Sequence, residues 1–189
     1  MEGLIERINK KLTVPLARRM KDVQVITPNR LTFLSFLAGG VLAPIFVLKG
    51  WLFLAGVLVW VGAILDSLDG DLARLRGITS KEGAILDAVL DRYADLFILG
   101  ALSLYSPECL SWGVLAMVGS ALVPYIRAKT EAHGKPSVPT FGSRDVRNVV
   151  VCVGLLLHKP CLTLVVVAIL SNLSALHRLF YALRKEGSP

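Results

Sequence analysis

The chain has 189 residues, 54% of them hydrophobic, a mean hydropathy of +0.62 and a formal charge of +7. Soluble domains hold roughly 45–50% apolar residues; the excess here is gathered into nearly uncharged runs over 31–48, 51–65, 109–126 and 160–176, which excludes an ordinary soluble domain. Only Lys49 and Lys159 of the 21 basic residues fall in the loops of one side, so the positive charge follows the inside-positive pattern of membrane proteins and no nucleic-acid partner is expected.

Residues 2–22 place Leu4, Ile5, Ile8, Leu12, Leu16 and Met20 at helical spacing among basic residues. This predicts an N-terminal amphipathic helix lying in the membrane interface over 1–22, with Pro15 kinking or interrupting it. The stretch is too charged to form the apolar centre of a cleaved signal peptide, so none is expected. Thr27-Pro28-Asn29 is a helix-start signal ahead of the first apolar run.

A helix needs roughly 20 apolar residues to cross about 30 Å of hydrocarbon, and open sheets cannot satisfy their backbone groups in lipid. The expectation is an all-α integral membrane protein with six transmembrane helices, over about 29–48, 51–75, 81–105, 109–132, 144–158 and 160–183. Lys49-Gly50, Ser106-Pro107-Glu108 and His158-Lys159 form short outer turns. Gly77–Ser80 and the longer His133–Ser143 connect helices on the inner side. No repeat or second domain is visible, so 1–189 reads as one membrane domain with a core over 29–183. An even number of spans is consistent with both termini lying on the basic, cytoplasmic side of the cell membrane. Cys109, Cys152 and Cys161 are odd in number and lack zinc-site spacing, which predicts buried free thiols. Trp51 and Trp112 read as interfacial anchors, and the three histidines are too scattered to form a metal set.

The second and third predicted spans carry the unusual feature. Asp66 and Asp69 are three residues apart, and Asp87 and Asp91 four apart, so each pair projects from one helical face. The short connection from Arg74 to Lys81 predicts that the two helices are antiparallel neighbours, with both pairs at similar depth. Four facing carboxylates cannot all stay ionised in a membrane without compensating charge. Divalent cations supply it, and oxygen-only ligands favour hard ions such as Mg²⁺, Mn²⁺ or Ca²⁺. Gly70 and Gly83 leave the backbone open beside the acids, and Arg74 suits a pair of phosphate oxygens. The plainer reading, solvated acids near helix ends, does not account for two spaced pairs. Asp71 reads as solvated or paired, and Asp95 as a structural partner or a ligand.

Written as D-x2-D-G-x2-A-R-x8-G-x3-D-x3-D, the stretch has every position filled. It resembles the signature of the CDP-alcohol phosphotransferases, and the T-P-N start, the interfacial helix and the six spans extend the resemblance over the chain. The resemblance implies that Asp66, Asp69, Asp87 and Asp91 bind two metal ions, Mg²⁺ or Mn²⁺. It implies that Asp91 is the general base, and that Asp66, Asp69, Gly70, Ala73, Arg74 and Gly83 line the CDP site. The implied reaction is attack by an acceptor hydroxyl on the β-phosphorus of a CDP-alcohol, with CMP leaving, in a homodimeric enzyme of phospholipid synthesis.

A second basic cluster bears on the acceptor. Arg127 and Lys129 lie near the end of the fourth predicted span, and Arg144 and Arg147 at the start of the fifth. The four can converge beside the carboxylates as a pocket for a phosphorylated alcohol; the competing reading is topology plus attraction to anionic lipid. Tyr125–Glu131 followed by Arg144-x2-Arg147 resembles the branch that uses inositol-1-phosphate, which includes phosphatidylinositol-phosphate, archaetidylinositol-phosphate and di-myo-inositol phosphate phosphate synthases. The donor stays open between a lipid (CDP-diacylglycerol or CDP-archaeol) and soluble CDP-inositol. A cation transporter and a nucleotide-binding module without turnover are readings of other classes. The position of the acids toward one end argues against the first, and the complete set of four against the second.

Overall fold

The computed structural model describes residues 4–184, with side chains from residue 9 onward, so the expected apolar positions Leu4, Ile5 and Ile8 lie, as side chains, outside the described residues. Helix α1 (Leu4–Met20) runs through Pro15 without interruption. The carbonyl that Pro15 leaves without its usual donor belongs to Lys11, an exposed residue where solvent can replace it. Thr13 and Ala17 are fully buried, whereas Leu12 and Leu16 are turned outward, 53% and 39% exposed.

The first apolar run is one continuous helical segment of three parts: α2 (Pro28–Ser35), a π-helical turn over Phe36–Leu42, and α3 (Ala43–Leu48). Thr27 caps it, its side chain accepting from the Arg30 N–H, with Pro28 in the first turn. Then come α4 (Leu52–Arg76), α5 (Lys81–Leu104), α6 (Leu110–Ala132), α7 (Arg144–Leu156) and α8 (Pro160–Leu183), with no strand among the described residues. Four segments are long and apolar enough to cross a membrane: Pro28–Leu48, Leu52–Arg76, Pro107–Ala132 and Pro160–Leu183. Gly77, at φ +66°, ends α4 in a left-handed cap, and Ser80 opens α5 by accepting from the Gly83 N–H.

The helices close into a ring in the order α2/α3, α4, α7, α8, α6, α5 and back to α2/α3. Its apolar centre includes Leu52, Leu102, Leu155 and Leu164, and a smaller cluster of Ala17, Leu31, Leu68 and Leu72 packs α1 onto the C-terminal half of α4. One expectation is corrected. Among the described residues α4 and α5 make no close backbone approach, although four residues join them. The π turn stands between them: Gly39 backs onto Gly62 of α4, where an added Cβ would lie 3.1 Å from the Gly39 Cα, and Gly40 lies against Ala94 of α5.

The cysteines give a second correction. Cys109 and Cys161 form a disulfide, with Cα atoms 4.8 Å apart, and Cys152 alone is a free thiol. The bonded pair opens α6 and α8, whose starts meet at the end of the ring opposite the carboxylates. Residues 52 apart in sequence become neighbours only through that packing.

Candidate active site

Helical spacing delivers what the sequence promises on each helix separately. Asp66 on α4 meets Asp87 and Asp91 on α5, each offering a carboxylate oxygen, with the three oxygens within 4.8 Å of one another. Asp69, one turn on, is 6% exposed and turns toward α2, accepting a hydrogen bond from the Thr32 hydroxyl. Because α4 and α5 stand apart, the side chains reach across a gap. That gap is a cavity of about 190 Å³ between α2 and the facing ends of α4 and α5, lined by Asn29, Asp69, Ala73, Arg74, Gly83 and Asp87. Gly70 lines it too. An added Cβ on Gly83 would lie 3.1 Å from the Ser80 hydroxyl that caps α5, so a side chain there would crowd the cap.

Arg144, the first residue of α7, lies among the acids. Its Nη1 donates to Asp66 (2.8 Å), its Nη2 lies 2.7 Å from Asp91, and its Nε is 3.5 Å from Asp95. Arg147 is 4% exposed and donates to Asp95 and to the Gly142 carbonyl, both at 2.9 Å. Asp95, 8% exposed, thus accepts a hydrogen bond from Arg147 and lies at ion-pair distance from Arg144 (3.5 Å) and Arg92 (3.6 Å). It is a structural partner, the first of its two expected roles. Asp71 is paired rather than solvated: it is 5% exposed and bonded to Arg74 (2.7 Å) and Thr13.

The four expected acceptor cations do not all converge. Arg144 joins the carboxylates and Arg147 stands behind it, but Arg127 pairs with Glu131 (2.9 Å) on an exposed face, and Lys129 is exposed. Sequence reasoning missed Arg178 of α8. It shares a small cavity with Arg127 and Thr130, donates to the Val123 carbonyl (3.1 Å), and its Nε is buried without a partner. The available signal was a lone arginine within the final apolar stretch, where an ionisable group needs a reason.

Two observations bear on metal binding. Asp87 Oδ1 is buried with no hydrogen-bond partner, and such an orphaned anionic oxygen is costly unless a cation meets it. The donors converging there are all carboxylate oxygens, the set that hard divalent ions prefer. The residues fit such an ion. A second cavity of about 240 Å³ reaches the same acids from the α1 side, with Asn9 and Asp145 on its edge. Those two residues also line an apolar groove of about 250 Å³ between α4 and α7, bounded by Val59, Trp60, Val149 and Val153.

Comparison with known proteins supports the same reading. The family model for CDP-alcohol phosphatidyltransferase matches residues 25–180. The chain is 33% identical over 187 residues to archaetidylinositol phosphate synthase of Pyrococcus horikoshii, covering 96% of this chain and 98% of that one. It is 32% identical over 199 residues to the bifunctional IPC transferase and DIPP synthase of Aquifex aeolicus, covering 99% of this chain but only 46% of that protein. Phosphatidylinositol phosphate synthase of Mycobacterium tuberculosis is similar in structure at 26% identity. Its crystal structure with CDP-DAG bound superposes with a TM-score of 0.79 over 94% of this chain and 100% of that one. Its complex with manganese and citrate gives 0.80 over 93% of each. The chain belongs to the CDP-alcohol phosphatidyltransferase family, multi-pass membrane enzymes that transfer a substituted phosphate group from a CDP-alcohol.

Proposed function

We propose that the chain moves the phosphoalcohol group of a lipid CDP-alcohol, of the CDP-diacylglycerol or CDP-archaeol type, onto a hydroxyl of inositol-1-phosphate, releasing CMP. The observation that carries the reaction is the meeting of Asp66, Asp87 and Asp91 from two helices whose backbones do not come close to each other. The lipid donor is favoured by continuity: Asn9 and Asp145 border both the acidic cavity and the apolar groove, so a headgroup in one leads an acyl chain into the other.

Asp66, Asp69, Asp87 and Asp91 would hold two Mg²⁺ or Mn²⁺ ions, which when bound polarise the phosphoryl oxygens and offset developing charge. The remaining work falls to the protein. Gly70, Ala73, Arg74 and Gly83 receive the CDP moiety in the cavity they line, with Arg74 directed at its phosphates. Arg144 and Arg147, with Arg127, Lys129 and Arg178 farther along the inner end, draw in the acceptor phosphate. Asp91 takes the proton of the attacking hydroxyl as the new P–O bond forms and the bond to CMP breaks.

The same reading takes α5 and α7 as membrane crossings too, the third and fifth of six, and 1–189 as one domain. The outward Leu12 and Leu16 support α1 as an interfacial helix. The Cys109–Cys161 disulfide lies opposite the carboxylates, and disulfides persist in oxidising compartments. That supports a cytoplasmic active site and cytoplasmic termini in the cell membrane. A homodimer is part of the proposal.

The deciding assay is CMP release by purified protein with Mn²⁺, crossing CDP-diacylglycerol, CDP-archaeol and CDP-inositol with inositol-1-phosphate, glycerol-3-phosphate and serine. Release that needs a lipid donor together with inositol-1-phosphate supports the proposal. Release with CDP-inositol alone among the donors would replace it with a di-myo-inositol phosphate phosphate synthase, and release with none would end it.

A further inference from the structure

We propose that Asp71 and Thr13 are positioning residues for Arg74, which makes α1 a working part of the donor site as well as a membrane contact. The inference rests on the proposed place of Arg74 at the donor phosphates. Asp71 follows Gly70 on α4 and is 5% exposed. A carboxylate so buried needs a partner for each oxygen, and it has them. Oδ1 receives Arg74 Nη2 at 2.7 Å, and Oδ2 accepts the hydroxyl of Thr13, a fully buried residue of another helix. With both oxygens engaged, Asp71 is a clamp rather than a fifth ligand for a cation.

The clamp acts on a side chain that would otherwise wander. Arg74 is 61% exposed, and an arginine that open loses rotamer freedom when a ligand fixes it. Held by one nitrogen, the guanidinium lies over Gly70, where an added Cβ would be 3.5 Å from Nη2 and 3.6 Å from Nη1. Nη1 and Nε stay available to phosphate oxygens in the cavity that Arg74 lines. The seat of α1 is made by Arg76, near the end of the same helix. Its guanidinium donates to the carbonyls of Met20, Lys21 and Val23 at 2.8 Å each and of Ile26 at 2.6 Å. That strap closes the turn after α1 onto the end of α4 and holds Thr13 over Asp71. The chain of contacts runs Arg76, α1, Thr13, Asp71, Arg74.

The test measures kcat and both KM values by CMP release from CDP-diacylglycerol and inositol-1-phosphate. The variants are Asp71→Asn, Thr13→Val and Thr13→Ser in the full chain, with Asp71→Asn repeated in an Arg74→Ala background. A charge-assisted hydrogen bond is worth enough that Asp71→Asn should raise the donor KM roughly tenfold and Thr13→Val about threefold. The acceptor KM should stay unchanged and Thr13→Ser should behave as wild type. In the Arg74→Ala background Asp71→Asn should add nothing further to the donor KM. An additive loss there, or a Thr13→Val donor KM equal to that of Thr13→Ser, would overturn the proposal. If Asp71→Asn does not fold, the Thr13 pair decides. A donor KM indifferent to Arg74→Ala would instead remove Arg74 from the donor site. A rise with Arg74→Ala but none with Asp71→Asn or Thr13→Val would remove only the positioning role.

Discussion

At the scale of single residues, aspartates of one helix face do different work. Asp91 belongs to the converging trio and is 2.7 Å from Arg144, so its carboxylate is set beside the cation proposed to draw in the acceptor phosphate. A positioned base contributes about 10²–10⁴-fold. Asp91→Asn should lower kcat for CMP release by at least that factor while calorimetry still detects nucleotide binding; near-wild-type turnover would remove it as base. Asp95, one turn along α5, is the anion beneath Arg144 and Arg147. Removing one member of a buried ion pair leaves uncompensated charge and costs about 3–5 kcal/mol. Asp95→Asn should therefore depress the thermal midpoint in detergent and raise the inositol-1-phosphate KM more than the donor KM. An unchanged midpoint would show that Arg144 and Arg147 are held without it.

At the scale of elements, the sequence was informative where a pattern is local. The spacing of Asp66, Asp69, Asp87 and Asp91, the Thr27-Pro28 start and the Gly77–Ser80 connection were all legible, because helical phase and capping depend on residues a turn apart. What escaped depends on partners distant in the chain. Thr13 reaches Asp71 from 58 residues away, and Cys109 meets Cys161 across 52. The separation of α4 from α5 was hidden because it arises from a π turn, which hydropathy does not register. The disulfide carries a prediction at this scale. A cross-link closing a loop of that length stabilises by about 4 kcal/mol in the chain-entropy account. The Cys109→Ser/Cys161→Ser variant should melt lower in detergent, yet keep wild-type KM values because the bond lies at the far end from the acids. A shift in either KM would show that the two ends are coupled.

At the scale of the whole molecule, the ring is tied at one end by the Cys109–Cys161 bond and carries cavities around the carboxylates at the other. On the proposed orientation, a membrane-impermeant reductant should cleave the bond in intact cells, read by gel shift of alkylated thiols. Protection in intact cells with cleavage after lysis would reverse the proposed orientation. The first span bears on the ring in another way. Gly39 rests on α4 and Gly40 on α5, so two adjacent residues without side chains act as a thickness gauge between the acid-bearing helices. At Gly40 an added methyl would lie 2.7 Å from the Phe36 ring and 3.0 Å from the Ala94 Cβ, so once the ring has turned aside the remaining crowding would press α5 away from the π turn. Mg²⁺ demands oxygens at about 2.0–2.1 Å, whereas larger ions tolerate longer bonds. Gly40→Ala should accordingly tilt the ratio of Mn²⁺- to Mg²⁺-supported turnover toward the larger ion, and an unaltered ratio would show that the acids move independently of the gauge. Ionic preference would then be written in the backbone of a helix that contributes no acid of its own.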